Sequence, residues 1–276
     1  MKQGLYILVS VFLVGCNTMK NDSLASAGSI SIVEETPTIN SYGKTILERF
    51  DTPFGYTRVA VNQNSFASYL RTLPLKPVGT PAHYFDGKAK PGENVYVSVV
   101  DMPISPRNLQ ITANSVMRLI SEYLYENHEY KKIAFHTEKE KVNFMEFCKG
   151  DYSVDEFHKF MDYVMERMTT PNFCSELDKV RLNDLKIGDV FVQNNLNGHA
   201  VIVVDMAVNR KGEKLFLLAQ GFQPAQEIQI LANPDLEDIS PWYHLKEGEL
   251  LTPEWRFMTS DLMRFKFLET DGLVKN

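Results

Sequence analysis

Four β-rich runs crowd into residues 187–233: IGDVFVQ, HAVIVVDMAVN, KLFLLAQ and EIQILAN. This succession constrains the fold more than any other feature of the chain. The second run carries four consecutive β-branched residues, Val201 to Val204, with no polar alternation, so it reads as a buried strand. NRKGEK joins the second run to the third and places Gly212 where a hairpin needs a residue free to adopt positive φ. Consecutive strands joined by a short turn pair antiparallel.

The preceding sequence has a different period. SFASYLRTLPL reads as a short helix capped by Ser65 and ended by Pro74. SPRNLQITANSVMRLISEYLYENH carries apolar Leu109, Val116, Leu119, Ile120, Tyr123 and Leu124 at helical spacing. SVDEFHKFMDYVMERM opens with Ser153 and Glu156, the spacing of a capping box. FGYTRVAV and NVYVSVVDM read as strands. Long helices followed by an antiparallel sheet make an α+β class. The helical part should span about 46–180 and the sheet part about 181–270, within one domain over 46–276. The aromatic tail PWYHLKEGELLTPEWRF reads as an irregular cover on the sheet.

The N-terminus predicts an address. Lys2 precedes the apolar run LYILVSVFLVG, which has the length of a signal-peptide core and is short for a spanning helix. It ends in Leu13-Val14-Gly15-Cys16, the order of a bacterial lipobox. Residues 1–15 therefore read as a lipoprotein signal peptide, with Cys16 as the lipidated residue. Residues 16–45, rich in Ser, Thr, Asn and Ala, read as a flexible tether. More than one acyl chain gives stable anchoring, so the membrane is the first expected partner. The address is the bacterial cell envelope, on a face the sequence does not specify. A net charge of -6 argues against nucleic acid. Export also permits a Cys148–Cys174 disulfide, or leaves both thiols free.

The phrases DLKIGDVFVQNNLNGHAVIVVD, FLLAQGFQPAQEIQIL and ISPWYHL…TPEWRF resemble a family of envelope lipoproteins defined by domain of unknown function 4846. That resemblance implies a common fold and an envelope location, but no reaction. IGDVF…GHAVIVVD also resembles, more distantly, the papain-like cell-wall hydrolases of the NlpC/P60 type. This implies a papain-like outline in which a cysteine opening a helix attacks. A histidine opening a strand takes the proton, and a polar residue on the next strand holds the imidazole. His199 matches the base and Gln220 the orienting residue. Thr112 stands where the family carries its cysteine, and a hydroxyl is a far poorer nucleophile than a thiol.

Each of these residues also has a plainer reading. His199 reads as a base or as a capped core histidine. Gln220 reads as a strand end, and Thr112 as an ordinary early-helix residue. Cys148 lies near a helix start, where a thiolate is favoured, yet a buried inert thiol fits it too. Trp242, Tyr243 and Trp255 suit a flat carbohydrate or peptide groove, or a core. Asp205 closes the histidine strand and is placed either to approach the site or to face solvent. His83, His128, His136, His158 and His244 show no zinc-site spacing, and nothing suggests a metal or cofactor. Three functions follow: a domain that binds cell-wall peptide or glycan in an old enzyme cleft, a working papain-like peptidase or amidase, and a structural envelope lipoprotein.

Overall fold

The computed structural model describes residues 39–92, 94–235 and 239–270. Cys16, the signal peptide and most of the tether lie outside the described residues. In chain order the first elements are α1 (Ile46–Arg49), β1 (Tyr56–Arg58), α2 (Phe66–Arg71), β2 (Tyr96–Val99), α3 (Ala113–Glu126), β3 (Ala134–His136), β4 (Lys141–Asn143), α4 (Phe144–Cys148), α5 (Val154–Met165), α6 (Thr170–Ser175) and β5 (Leu177–Lys179). The sheet-rich part holds β6 (Val190–Val192), β7 (Ala200–Asn209), β8 (Lys214–Gln220), β9 (Gln229–Leu231), β10 (Tyr243–His244), β11 (Glu249–Leu251), β12 (Arg256–Met258), β13 (Leu262–Phe265) and, last, α7 (Lys266–Thr270).

The main sheet runs β2-β9-β8-β7-β6-β13-β5, with β1 also on β7 and β10 also on β8. Its paired strands are antiparallel. The class is α+β, as expected. β7 is buried from Ala200 through Ala207, so its β-branched run is covered on both faces. The turn between β7 and β8 places Gly212 at φ 82°, the role the sequence assigned to it.

The helices expected within 105–128 and 153–168 form as α3 and α5, but the other described residues of the part read as helical, about 46–180, carry no further long helix. Among the described residues only α3 and α5 exceed a turn or two. Proline and glycine explain why: Pro74, Pro77, Gly79, Pro81, Gly87, Pro91, Gly92, Pro103 and Pro106 punctuate residues 72–111 and forbid continuous helix there. Helices and sheet are not segregated along the chain either, because β1 and β2 join the main sheet. The tail forms strands rather than an irregular cover. β10 pairs with β8, β11 with β12, and β13 inserts between β6 and β5. Caps fall where the sequence puts them: Ser65 accepts from Ser68 N and Ser153 from Glu156 N. The domain extends N-terminally past residue 46, since Ile39 bridges Phe50 and Thr45 caps α1.

A carboxylate is built into the central strand. Asp205 is fully buried at the irregularity in the β7–β8 register. Arg58 Nε and Arg71 Nε each approach it at 2.7 Å, and Met206 N donates to it at 2.8 Å. These contacts tie β1 and α2 to β7. Asp205→Ala leaves two guanidinium groups without their counter-ion, and should cost about 3–5 kcal/mol. Urea unfolding checks this, and a loss under 1 kcal/mol would contradict the assigned role.

Candidate functional site

The β7–β8 hairpin brings His199 and Gln220 to one end of the sheet. His199 immediately precedes β7, Gln220 closes β8, and the register pairs Ile202 with Ala219. His199 Nε2 lies 2.8 Å from Gln220 Oε1. Gln220 Nε2 donates to Glu254 Oε2 at 2.6 Å, and Lys90 Nζ donates to the same oxygen at 2.6 Å. Lys90 also donates to Gln229 Oε1 at 3.1 Å, and Gln229 Nε2 donates to Gln226 Oε1 at 2.9 Å. Gln110 Nε2 donates to the Gln226 carbonyl.

This chain of contacts fixes the tautomer of His199. An ammonium only donates, so the Glu254 oxygen facing Lys90 is an acceptor. Gln220 must then present its NH₂ to Glu254 and its carbonyl oxygen to His199. The imidazole proton therefore sits on Nε2, and Nδ1 is left as a bare acceptor. Nδ1 finds no hydrogen-bond partner in the protein, and neither does Gln110 Oε1. With Ser121 Oγ, these are the buried side-chain atoms without a partner among the described residues.

His199 is 0% exposed. The rings of Phe222, Trp255 and Phe257 lie 4.8, 5.5 and 5.8 Å away. Burial pulls its pKa down to about 4; the Gln220 hydrogen bond opposes that shift, and the Lys90 charge adds to it. Burial also lowers the Lys90 pKa, against the pull of Glu254. Gln193 clips the turn bearing Glu254 and Trp255: its Nε2 donates to the Arg256 carbonyl, and its Oε1 accepts from Trp255 Nε1.

The start of α3 adjoins this end of the sheet. Gly221, next to Gln220, donates its N–H to Ser115 Oγ at 2.9 Å, and Ser115 Oγ donates to the Thr112 carbonyl at 2.5 Å. A Cβ on Gly221 would stand 2.7 Å from Ser115 Cβ, so only glycine allows this approach. Thr112 holds φ 37° and ψ -113°, a backbone region that favours glycine, and its side chain makes no cap hydrogen bond. Such strain is tolerated where neighbouring structure dictates it.

A family model for domain of unknown function 4846 matches residues 46–264. The chain belongs to that family. The matched span contains Lys90, Thr112, His199, Gln220 and Glu254, so the whole polar chain lies inside the family domain. No curated protein and no solved structure matches the sequence.

Of the sequence candidates in this family member, His199 and Gln220 are in direct contact, and Thr112 stands beside them through Ser115 and Gly221. Trp255 packs next to His199. Of the other candidate binding residues, Trp242 and Tyr243 take the core alternative rather than a groove, and Asp205 is buried rather than solvent-facing. Trp242 Nε1 donates to the Asp51 carbonyl, the Tyr243 hydroxyl to the Ala232 carbonyl, and Asp205 holds two arginines. Cys148 and Cys174 are free and buried. Burial pushes the Cys174 thiol up to about 11, away from thiolate. Among the described residues no cluster of three or more His, Cys, Asp or Glu could hold a metal, and no helix is long and apolar enough to cross a membrane.

Lys90 and Glu254 were not legible as site residues. Each lies in a Pro-containing loop, and only tertiary structure brings them together. The phrase TPEW carried a weak signal, an acid beside an exposed-looking aromatic.

The depressed pKa of His199 makes stability depend on pH. The folded ring resists protonation until about pH 4, whereas the unfolded ring takes a proton below its ordinary 6.5. Stability contributed by the neutral ring is thus fully present above 6.5 and is lost as pH falls from 6.5 towards 4. The loss should reach roughly 3 kcal/mol. Denaturant unfolding of wild type and His199→Gln across this window should show a pH slope in the difference between them. Parallel curves would contradict the assignment.

Proposed function

We propose that this chain is a lipoprotein of the bacterial cell envelope, anchored through Cys16, whose papain-like domain holds a cell-wall peptide or glycan without cleaving it. One observation carries the reading. The Lys90–Glu254–Gln220 chain orients His199 as a papain-type base would be oriented, yet the residue at the nucleophile position is Thr112. The contact of His199 with Gln220, and the link from Gly221 through Ser115 to the Thr112 carbonyl at the start of α3, support that reading. The imidazole is poorly matched to catalysis, because a general base works best with a pKa near the operating pH. A ring held near 4 takes no proton from a threonine hydroxyl.

The unsatisfied groups favour a particular kind of ligand. His199 Nδ1 and Gln110 Oε1 are both acceptors, so the partner must donate. Peptide N–H groups and sugar hydroxyls do so. Phe222 and Trp255, both half-buried and 6.2 Å apart, supply flat contact surface beside His199. His199 is fully buried, so a ligand meets Nδ1 only when the groups packed around the ring move.

A working hydrolase or amidase is the second reading, and the bare Nδ1 is what favours it. It needs a nucleophile other than Thr112. Cys148 Sγ is engaged with the Met145 carbonyl, and Cys174 is held as a thiol.

The test incubates the whole chain with purified peptidoglycan sacculi. The expected result is co-sedimentation without release of soluble fragments, weakened in Phe222→Ala, with palmitate labelling lost in Cys16→Ser. Fragment release that disappears in His199→Ala would establish the hydrolase instead. Failure to sediment with sacculi would overturn the wall-binding reading.

A further inference from the structure

Two of the three rings around His199 come from one hairpin. Trp255 lies in the turn between β11 and β12, and Phe257 lies on β12. The hairpin is self-contained. β11 pairs with β12 and with no other strand, and Thr252 N donates to the Trp255 carbonyl at 2.8 Å. Its two feet are bonded to each other: Thr259 N donates to the Gly248 carbonyl at 2.8 Å, and Gly248 N donates to Thr259 Oγ1 at 3.0 Å. Beyond the feet the chain enters β10 on one side and β13 on the other, both strands of the main sheet. Gly248 holds φ 109°, a conformation glycine takes at no steric cost.

The hairpin is fastened differently from the strands around it. Among the described residues, no backbone–backbone hydrogen bond joins residues 249–258 to another part of the domain. Its hydrogen bonds to the elements around His199 run through side chains. Glu254 accepts from Lys90 and Gln220, while Gln193 accepts from Trp255 Nε1 and donates to the Arg256 carbonyl. Leu250, Thr252 and Phe257 are buried, so the hairpin is shut in this structure. An element without a ladder to its neighbours opens at a lower free energy than one locked into a sheet.

We propose that the β11–β12 hairpin is a lid over His199, turning about residues 248 and 259 and latched by Glu254 and Gln193. The proposal rests on the reading of His199 as the group that meets the ligand, and it supplies the route. When the latch opens, Glu254 parts from Lys90 and Gln220, and the imidazole becomes reachable. Closing over a bound peptide or glycan restores those bonds. Glu254 is both the latch and the group that orients Gln220, so the imidazole is held in its orientation only while the lid is shut. Lids of this kind gate a site without taking part in its chemistry.

The test uses the full chain without sacculi, so a failure to bind sacculi leaves it unaffected. Diethyl pyrocarbonate acylates an unprotonated ring nitrogen, and its rate at His199 is read by mass spectrometry of the peptide that carries it. Amide hydrogen exchange is followed in parallel. Gln193→Ala, which removes two of the latch bonds from a half-buried position, should raise both the His199 rate and exchange across 249–258 roughly tenfold. Amides of β7 and β8 should exchange as in wild type. Glu254→Gln keeps the shape of the side chain but removes its charge, and should raise the same two rates. This second variant keeps the test decisive if Gln193→Ala fails to fold. An unchanged His199 rate in the folded variants would overturn the proposal. So would an increase shared equally by β7 and β8, which would mean exposure through global unfolding.

Discussion

A carboxylate can only accept hydrogen bonds, and the site end of this domain is organised around that limit. One oxygen of Glu254 receives both the Lys90 ammonium and the Gln220 amide. From this follow the orientation of Gln220, the tautomer of His199 and the bare lone pair on Nδ1. Four distant stretches of chain, around residues 90, 199, 220 and 254, are thereby locked to one another. Lys90 is nearly buried, so its charge is tolerable only because Glu254 is there. Removing Glu254 would strand the ammonium and release the amide that orients the imidazole.

The sheet is the frame on which this end is assembled. β7 and β8 run buried through the centre, and their tight hairpin fixes the end at which His199 and Gln220 meet. Two buried carboxylates hold the surrounding elements to this frame. Asp205 binds β1 and α2, while Asp189 is gripped by two of the three guanidinium nitrogens of Arg264 from β13, at 2.6 and 2.8 Å. Gly221 lets α3 approach closely enough for Ser115 to bridge helix and strand. The strained backbone at Thr112 sits at that junction, so its conformation is dictated by its neighbours rather than by its own preference.

Local pattern made much of this readable in the sequence. The β7–β8 hairpin is a strong signal because β-branched runs and a turn glycine act over a few residues. His199 and Gln220 stood out as polar groups at the ends of otherwise apolar strands. Ser65 and Ser153 announced their helices for the same local reason. What could not be read depends on distance along the chain. Lys90 and Glu254 are ordinary charges until the fold joins them across 164 residues. Trp242 and Tyr243 stayed open between groove and core because aromatics serve both. Asp205 looked like a strand end because its two arginines come from remote elements. The short strands of the tail are edge and hairpin pieces with too few residues to show a period.

The reading as a wall-binding relative of papain-like enzymes rests on one protonation pattern: a neutral His199 whose proton is on Nε2 and whose Nδ1 is free. Ring ¹⁵N chemical shifts of His199, followed from pH 8 downward, test it directly. The account predicts the Nε2–H tautomer, persisting until the pH approaches about 4. A ring protonated on Nδ1, or one that titrates near 6.5, would contradict it and return His199 to an ordinary histidine.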